Sequence, residues 1–422
     1  MKVLHLSTSD ANGGAARGAF LTHTGLRRAG VNSWMLVAEK GTSDPYVLGP
    51  QTVTGSQKVL SGLRQTWEYW PLKRYPQKQS GLFSAAAYPS RVVAKIRKIN
   101  PDIVHLHWVA QGLLRPEDLP QLGKPMVWTL RDMWSFTGGC HYAGDCEGYQ
   151  QRCGRCPLLG SDREHDLSRQ VWRRKSKAWQ DVDLTIAPLS HWLADCARAS
   201  SLFQHRPIQV IPNAIDTDCY RPIDQATARD LLRLPQNKQL ILFGAISPTG
   251  DRRKGFQHLA PALRRLAAEP HSLEAVIFGR DRPAQPLDLG LPVNFLGYLH
   301  DQTMLALAYS AADVTVVPSE QEAFVKTAIE SMACGTPVVS FDATGLKDGI
   351  DHLQNGYRAE CFSPADLANG IRWVLAQRSQ SLSKAARQTV LNQFTLAHQA
   401  AAYADLYRTI LSRNLHSSAL TK

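Results

Sequence analysis

No apolar run in this 422-residue chain approaches the roughly 18 residues that would span a bilayer; the longest, such as 240–246, are the size of a strand. The amino terminus, MKVLHLSTSD, carries one lysine and an apolar stretch too short for a secretory leader, so it reads as a first strand and the expected location is cytoplasmic. Eight cysteines in a chain of this length argue against a disulfide framework and leave metal binding or burial as their expected uses. No repeat with a period of 20 to 50 residues is present, which sets a solenoid aside. Acidic residues are scarce beside basic ones, 36 against 48.

The resulting +12 charge is concentrated in two windows. Residues 60–98 hold eight Lys or Arg against one Glu, and residues 152–177 hold eight against three acids. The first window also contains Trp67, Tyr69, Trp70, Tyr75, Phe83 and Tyr88. Such a mixture suits an anionic membrane surface or another anionic partner. A solvated face with a few core aromatics explains it equally well, and composition alone leaves nucleic acid open.

The hydrophobic pattern predicts two α/β domains. Short apolar runs at 3–7, 33–38, 103–107, 126–130, 184–188 and 209–211 alternate with helical stretches at 15–29, 90–99, 169–180 and 191–199, the last with Ser190 as N-cap. After the breakers of VIPNAIDTDCYRP the pattern restarts, with strands at 239–246, 273–278, 293–297, 314–317 and 337–341. The expected division is 1–212, with a cysteine-rich insertion at about 134–160, then 213–395, then a closing helix in 396–422 that returns to the first domain before a polar tail. In such doubly wound sheets ligands gather at the carboxyl ends of strands.

Several motifs fall at those ends. DANGGAARG follows the first strand, and Gly13 and Gly14 would let a ligand approach the backbone at a helix N-terminus. PDIVHLHW places His105 and His107 on one side of a strand end. AISPTGDRRKG, residues 245–255, gathers Arg252, Arg253 and Lys254 where cations could neutralise a diphosphate leaving group in place of a metal. PSEQEAFVKTAIESMACGTPVVSFD, residues 318–342, sets Glu322 in a loop and Glu330 about two turns into the following helix, two carboxylates that can accept hydrogen bonds from sugar hydroxyls. Cys140, Cys146, Cys153 and Cys156, spaced C-x5-C-x6-C-x2-C, supply enough thiols for a closed structural zinc site; unliganded thiols or two disulfides are the alternatives, and His141 could compete as a ligand.

The twin-acid segment resembles the E-x7-E signature of retaining glycosyltransferases of family 4, which have the GT-B fold of two Rossmann-like domains facing each other across a cleft. The GG loop, the H-x-H ending, the K-G pair Lys254-Gly255 and the cysteine-rich insertion after TLRDMW resemble elements of the same family, the insertion those of a polysaccharide-type branch. The resemblance implies that Glu322 holds the transferred sugar, Glu330 the ribose, His107 the reacting sugar, and Lys254 with Arg253 the departing diphosphate. Gly13, Gly14, Phe324 and Val325 would complete the donor site. Two departures stand out: no Arg directly follows the strand, where Ala245 and Ile246 stand, and Ala323 and Val325 occupy positions that are often Gly.

The implied activity is retaining transfer from a UDP- or GDP-type nucleotide sugar to a saccharide or lipid-linked acceptor, with no catalytic metal, no nucleic acid partner, and a place in cell-surface polysaccharide assembly at or near the inner membrane face. Two alternatives compete: a basic zinc-knuckle nucleic-acid-binding protein, and a nucleotide-sugar epimerase of the same fold.

Overall fold

A computed structural model describes residues 1–50, 66–88, 92–244, 251–268, 272–279, 287–299, 301–377 and 381–420, with backbone alone for 414–420. The chain divides into two compact units, Met1–Ala214 with Leu396–Lys422, and Ile215–Thr395. Each contains a six-stranded sheet in which all strand pairs are parallel.

In the first unit the strands are β1 (Lys2–Ser9), β2 (Asn32–Glu39), β3 (Val47–Leu48), β4 (Ile103–Leu106), β5 (Met126–Leu130) and β6 (Leu184–Pro188), ordered β3-β2-β1-β4-β5-β6. The second unit has β7 (Gln239–Gly244), β8 (Leu273–Phe278), β9 (Val293–Phe295), β10 (Val314–Val317), β11 (Val338–Phe341) and β12 (Gly356–Ala359), ordered β12-β11-β10-β7-β8-β9. Winding reverses between β1 and β4 in one sheet and between β7 and β10 in the other. At such a reversal the two neighbouring loops leave in opposite directions and open a crevice at the strand ends. The GT-B expectation of two doubly wound α/β domains is met in the architecture of each unit.

The central strands are largely apolar because helices cover both faces. Ile103, Val104, Leu106, Val127, Leu240, Ile241, Leu242 and Val314 are fully buried. The helix Leu396–Leu420 joins the first unit, packing Ala400, Tyr403, Leu406 and Tyr407 onto Val3, Leu26, Ile103 and Val127. Ser190 caps the helix His191–Ala199 by accepting from Leu193 N–H.

Three local expectations need correction. Residues 209–211 are not a strand: Gln209 and Ile211 donate to the carbonyls of Ile186 and Pro188, but Pro207 and Pro212 lie close on either side, and the one isolated bridge here is that of the preceding Ile208 with Ile186. The sixth strand of that sheet is β3, whose two residues show no period. Gly356–Ala359, absent from the strands expected from the sequence, forms β12, and a Cβ at Gly356 would lie 2.5 Å from the Val338 carbonyl oxygen. The expected strand residues 245 and 246 and helix residues 90 and 91 lie outside the described residues.

The returning helix also satisfies buried polar groups. Tyr407 Oη lies 2.6 Å from His105 Nδ1, and Tyr403 Oη lies 2.6 Å from Thr129 Oγ1, itself 2.7 Å from His105 Nε2. Tyr407→Phe leaves His105 Nδ1 buried without that partner. We expect a loss of about 1–3 kcal/mol in urea unfolding; an unchanged midpoint would show that the hydroxyl contributes nothing.

Candidate active site

The second unit brings three of the expected residues together. Gly255 ends the loop after β7 at φ 73°, and a Cβ there would sit 1.7 Å from the Pro318 carbonyl oxygen. Only glycine lets this loop lie against the one that follows β10. The contact delivers Lys254 Nζ to 2.6 Å from Glu322 Oε1, and Arg253 Nη1 to 3.3 Å from Glu322 Oε2 and 2.8 Å from the Gln321 carbonyl oxygen. Burial pushes the Glu322 carboxyl upward, but the charges of Lys254 and Arg253 and hydrogen bonds from Lys254 and Ser319 outweigh it and hold the group below its ordinary range. Gly345 closes the other side: its N–H donates to the Glu322 carbonyl at 3.0 Å, and a Cβ would meet the carbonyl oxygens of Glu322 and Ala323 at 2.7 Å. Residues 245–250, including Ala245 and Ile246, lie outside the described residues.

Phe324 and Val325 are buried, with the Phe324 ring 5.8 Å from that of Phe394. Their side chains belong to the core of the unit, so backbone is what they can offer a ligand. Glu330 lies in the helix Lys326–Ala333, one turn from its start and not two. It is 3% exposed, accepts from Tyr309 Oη at 3.0 Å, and has Lys326 Nζ 2.7 Å from Oε1. The Glu330 carboxylate raises the hydroxyl pKa of Tyr220 and Tyr309, adding to the larger effect of burial.

In the first unit Gly13 and Gly14 are exposed at the start of the helix Gly13–Arg28, where no side chain caps the end. A Cβ at either would meet nothing within 4 Å, and Gly13 has φ 87°. Room in front of this bare helix end is therefore available to an external anion.

His107 follows β4 and is buried within the first unit. It is 2% exposed, with Nε2 2.8 Å from His5 Nδ1 and Nδ1 3.1 Å from Arg131 Nη2. A guanidinium can only donate, so His107 Nδ1 accepts and, in the neutral ring, Nε2 carries the proton and donates to His5. Arg131 also donates to Asn213 Oδ1 at 2.8 Å and reaches this position because residue 18 is glycine, whose Cβ would meet Nη1 at 2.4 Å. Burial draws Arg131 down to about 10, which leaves it charged at neutral pH. Burial, with neighbouring cationic groups, also holds His5, His105 and His107 well below the ordinary histidine value.

Cys140, Cys146, Cys153 and Cys156 are free thiols, and burial pushes Cys140 and Cys153 up to about 12. Four sulfurs suit zinc chemically. Their placement does not make a coordination shell: among the described residues, the one set of three or more His, Cys, Asp or Glu with ligand atoms all within 4.8 Å of one another is His5, His105 and His107. Those histidines fit a cation poorly, because both nitrogens of His105 and His107 are hydrogen-bonded and Arg131 adds positive charge. His141 is not available as a competing ligand, since its nitrogens lie 2.6 Å from Asp132 Oδ2 and 2.9 Å from Ser84 Oγ. Cys156 instead packs with Leu72, Phe83 and Leu159.

Two family models tile most of the chain: that of Glycosyltransferase Family 4 matches residues 12–219, and that of Glycosyl transferases group 1 matches residues 224–389. The chain belongs to the family 4 type of glycosyltransferases. This glycosyltransferase is 30% identical over 311 residues to a D-inositol 3-phosphate glycosyltransferase of Geodermatophilus obscurus, an alignment covering 68% of the chain and 62% of that relative. A protein of the same description from Gordonia bronchialis is 27% identical over 384 residues, covering 88% of the chain and 78% of the relative. HepE of Anabaena, solved with UDP-glucose, has a similar fold, with a TM-score of 0.62 at 18% identity over 97% of this chain and all of that one. Two domains with these sheets and these neighbours make a GT-B fold.

Sequence reasoning on the glycosyltransferase missed His5, Arg131, Asn213 and Tyr309. A signal existed for two of them: His5 interrupts an apolar run in register with His105, and Arg131 directly follows the buried strand β5. Asn213 and Tyr309 carry no such mark.

The neutral histidines also make stability depend on pH. His23, drawn down to about 4 by burial, and His5, His105 and His107 bind protons in the unfolded chain below about pH 6.5 but not in the folded one. Their contribution is complete above that value and is lost as pH falls toward the folded values. Urea unfolding should therefore lose about 1.4 kcal/mol per pH unit for each such histidine between pH 6 and pH 5, and a flat profile there would contradict the buried neutral network.

Proposed function

We propose that this glycosyltransferase moves a sugar from a UDP- or GDP-type nucleotide sugar to a saccharide or lipid-linked acceptor, with retention and without a catalytic metal. The observation that carries the reading is the Glu322 carboxylate clamped by Lys254 and Arg253 at the winding reversal of the second sheet. Sugar hydroxyls donate to Glu322, while the two cations absorb the charge that develops on the diphosphate as the anomeric bond breaks. The departing phosphate oxygen takes the acceptor proton on the same face. Glu330 accepts from the ribose. His107 acts through Arg131, whose position it fixes, and the bare helix end at Gly13 and Gly14 faces anionic groups of the substrates.

UDP-type donors receive support from HepE, which binds UDP-glucose. A nucleic-acid-binding role fits the same centre poorly, because Glu322 and Glu330 would repel phosphates. An epimerase would release its product without an acceptor, so product analysis with and without acceptor separates it from a transferase.

Donor hydrolysis and transfer should be screened with UDP- and GDP-sugars. Glu322→Ala should lower turnover at least about 10³-fold and Lys254→Ala on the order of 10²–10³-fold, both with the wild-type circular dichroism spectrum. Near-normal turnover by the Glu322 variant removes the assigned role.

A peripheral contact with an anionic membrane, and with it a role in cell-surface polysaccharide assembly, belongs to the same proposal. Trp67 and Trp70 are each 58% exposed, beside exposed Tyr69, Lys73 and Arg74. The neighbouring acid, Glu68, is buried and accepts from the N–H groups of Ala86, Ala87 and Tyr88. Aromatic rings and cations are thereby left outward, as a lipid interface requires. Among the described residues no helix is long and apolar enough to cross a membrane. Lys73→Glu with Arg74→Glu should abolish sedimentation with phosphatidylglycerol vesicles; unchanged sedimentation would rule this surface out.

A further inference from the structure

Lys326 sits where local physics disfavours a cation. It is the first residue of the helix Lys326–Ala333, whose N-cap, Val325, provides no side-chain hydrogen bond. The helix dipole is positive at that end and repels an ammonium. The order is also the weaker one for a pair four residues apart, with Lys preceding Glu. Its partner has an unmet requirement: Glu330 is 3% exposed, and Tyr309 donates to Oε2. Oε1 receives no aligned hydrogen bond, although Lys326 Nζ lies 2.7 Å away. A buried carboxylate oxygen thus has a counter-ion beside it but no aligned hydrogen bond, and a cation stands at a helix end that would hold an anion better.

One ligand resolves both. We propose that Lys326 exchanges partners when the donor binds: it neutralises Glu330 in the empty site, then swings on its flexible stem to the diphosphate as ribose hydroxyls take over Glu330 Oε1. Lys326 is then a positioning residue that couples nucleoside recognition to phosphate recognition. The exchange leaves Glu330 with hydroxyl donors from Tyr309 and the ribose, and it reverses the unfavourable interaction of the ammonium with the helix end by placing phosphate between them. This inference rests on the nucleotide-sugar reading above.

Calorimetry with UDP, GDP, uridine and guanosine tests it on the full chain. Wild type should bind one of the diphosphates. Lys326→Gln should weaken that diphosphate by about 10- to 100-fold while its nucleoside binds as well as before or more tightly, since Glu330 no longer has to be released. Lys326→Arg should restore most of the diphosphate affinity. Equal weakening of nucleoside and diphosphate, or no change in either, overturns the exchange alone. A wild type that binds neither UDP nor GDP overturns the nucleotide-sugar reading and the exchange with it.

Discussion

The contact of Gly255 with the Pro318 carbonyl is the constraint on which the second unit's chemistry depends. It brings two loops from either side of a winding reversal within the length of a lysine side chain. Glu322 then becomes a partly buried carboxylate held by two cations. Charges at such separations attract strongly in a poorly solvated site, and removing one partner would leave the other exposed to its full desolvation cost. The cluster is consequently charged and oriented by the fold itself, which under the proposed function is the condition for electrostatic stabilisation of a departing phosphate.

The first unit solves a different problem. Its sheet centre contains three histidines, an arginine, a threonine and two tyrosines, none of which could be buried alone at low cost. They are tolerated because nearly every donor meets an acceptor in a chain running from Asn213 through Arg131 and His107 to His5, beside a second one linking His105, Thr129 and the tyrosines of the last helix. The helix Leu396–Leu420 is therefore more than a lid on the sheet, since its tyrosines complete hydrogen bonds that strands alone leave open. Such satisfied networks stiffen the elements they join.

Much of this was legible in the chain. Runs such as VTVV and QLILFG read as buried strands, and their alternation with amphipathic segments prescribes doubly wound sheets. The strands that escaped, β3 and β12, have two and four residues and pair at sheet edges, where no apolar run marks them. Residues 209–211 looked like a strand because they belong to a short apolar run, and the prolines on either side decided otherwise. The cysteine spacing suggested a metal shell; the packing of Cys156 with Phe83 and Leu159 is a feature that spacing did not show.

By itself the sequence determined the fold class, the positions of the glycines that loops require, and, through the K-G element and the twin acids, that Lys254, Glu322 and Glu330 are the residues to consider for the site. Those features depend on neighbours in sequence and on period, which a single chain displays. Only tertiary structure decided that His107 is enclosed between His5 and Arg131, and that Glu330 is buried against Tyr309 with Lys326 as its counter-ion. Burial and hydrogen-bond partners are set by residues tens to hundreds of positions away, so no local pattern could have announced them.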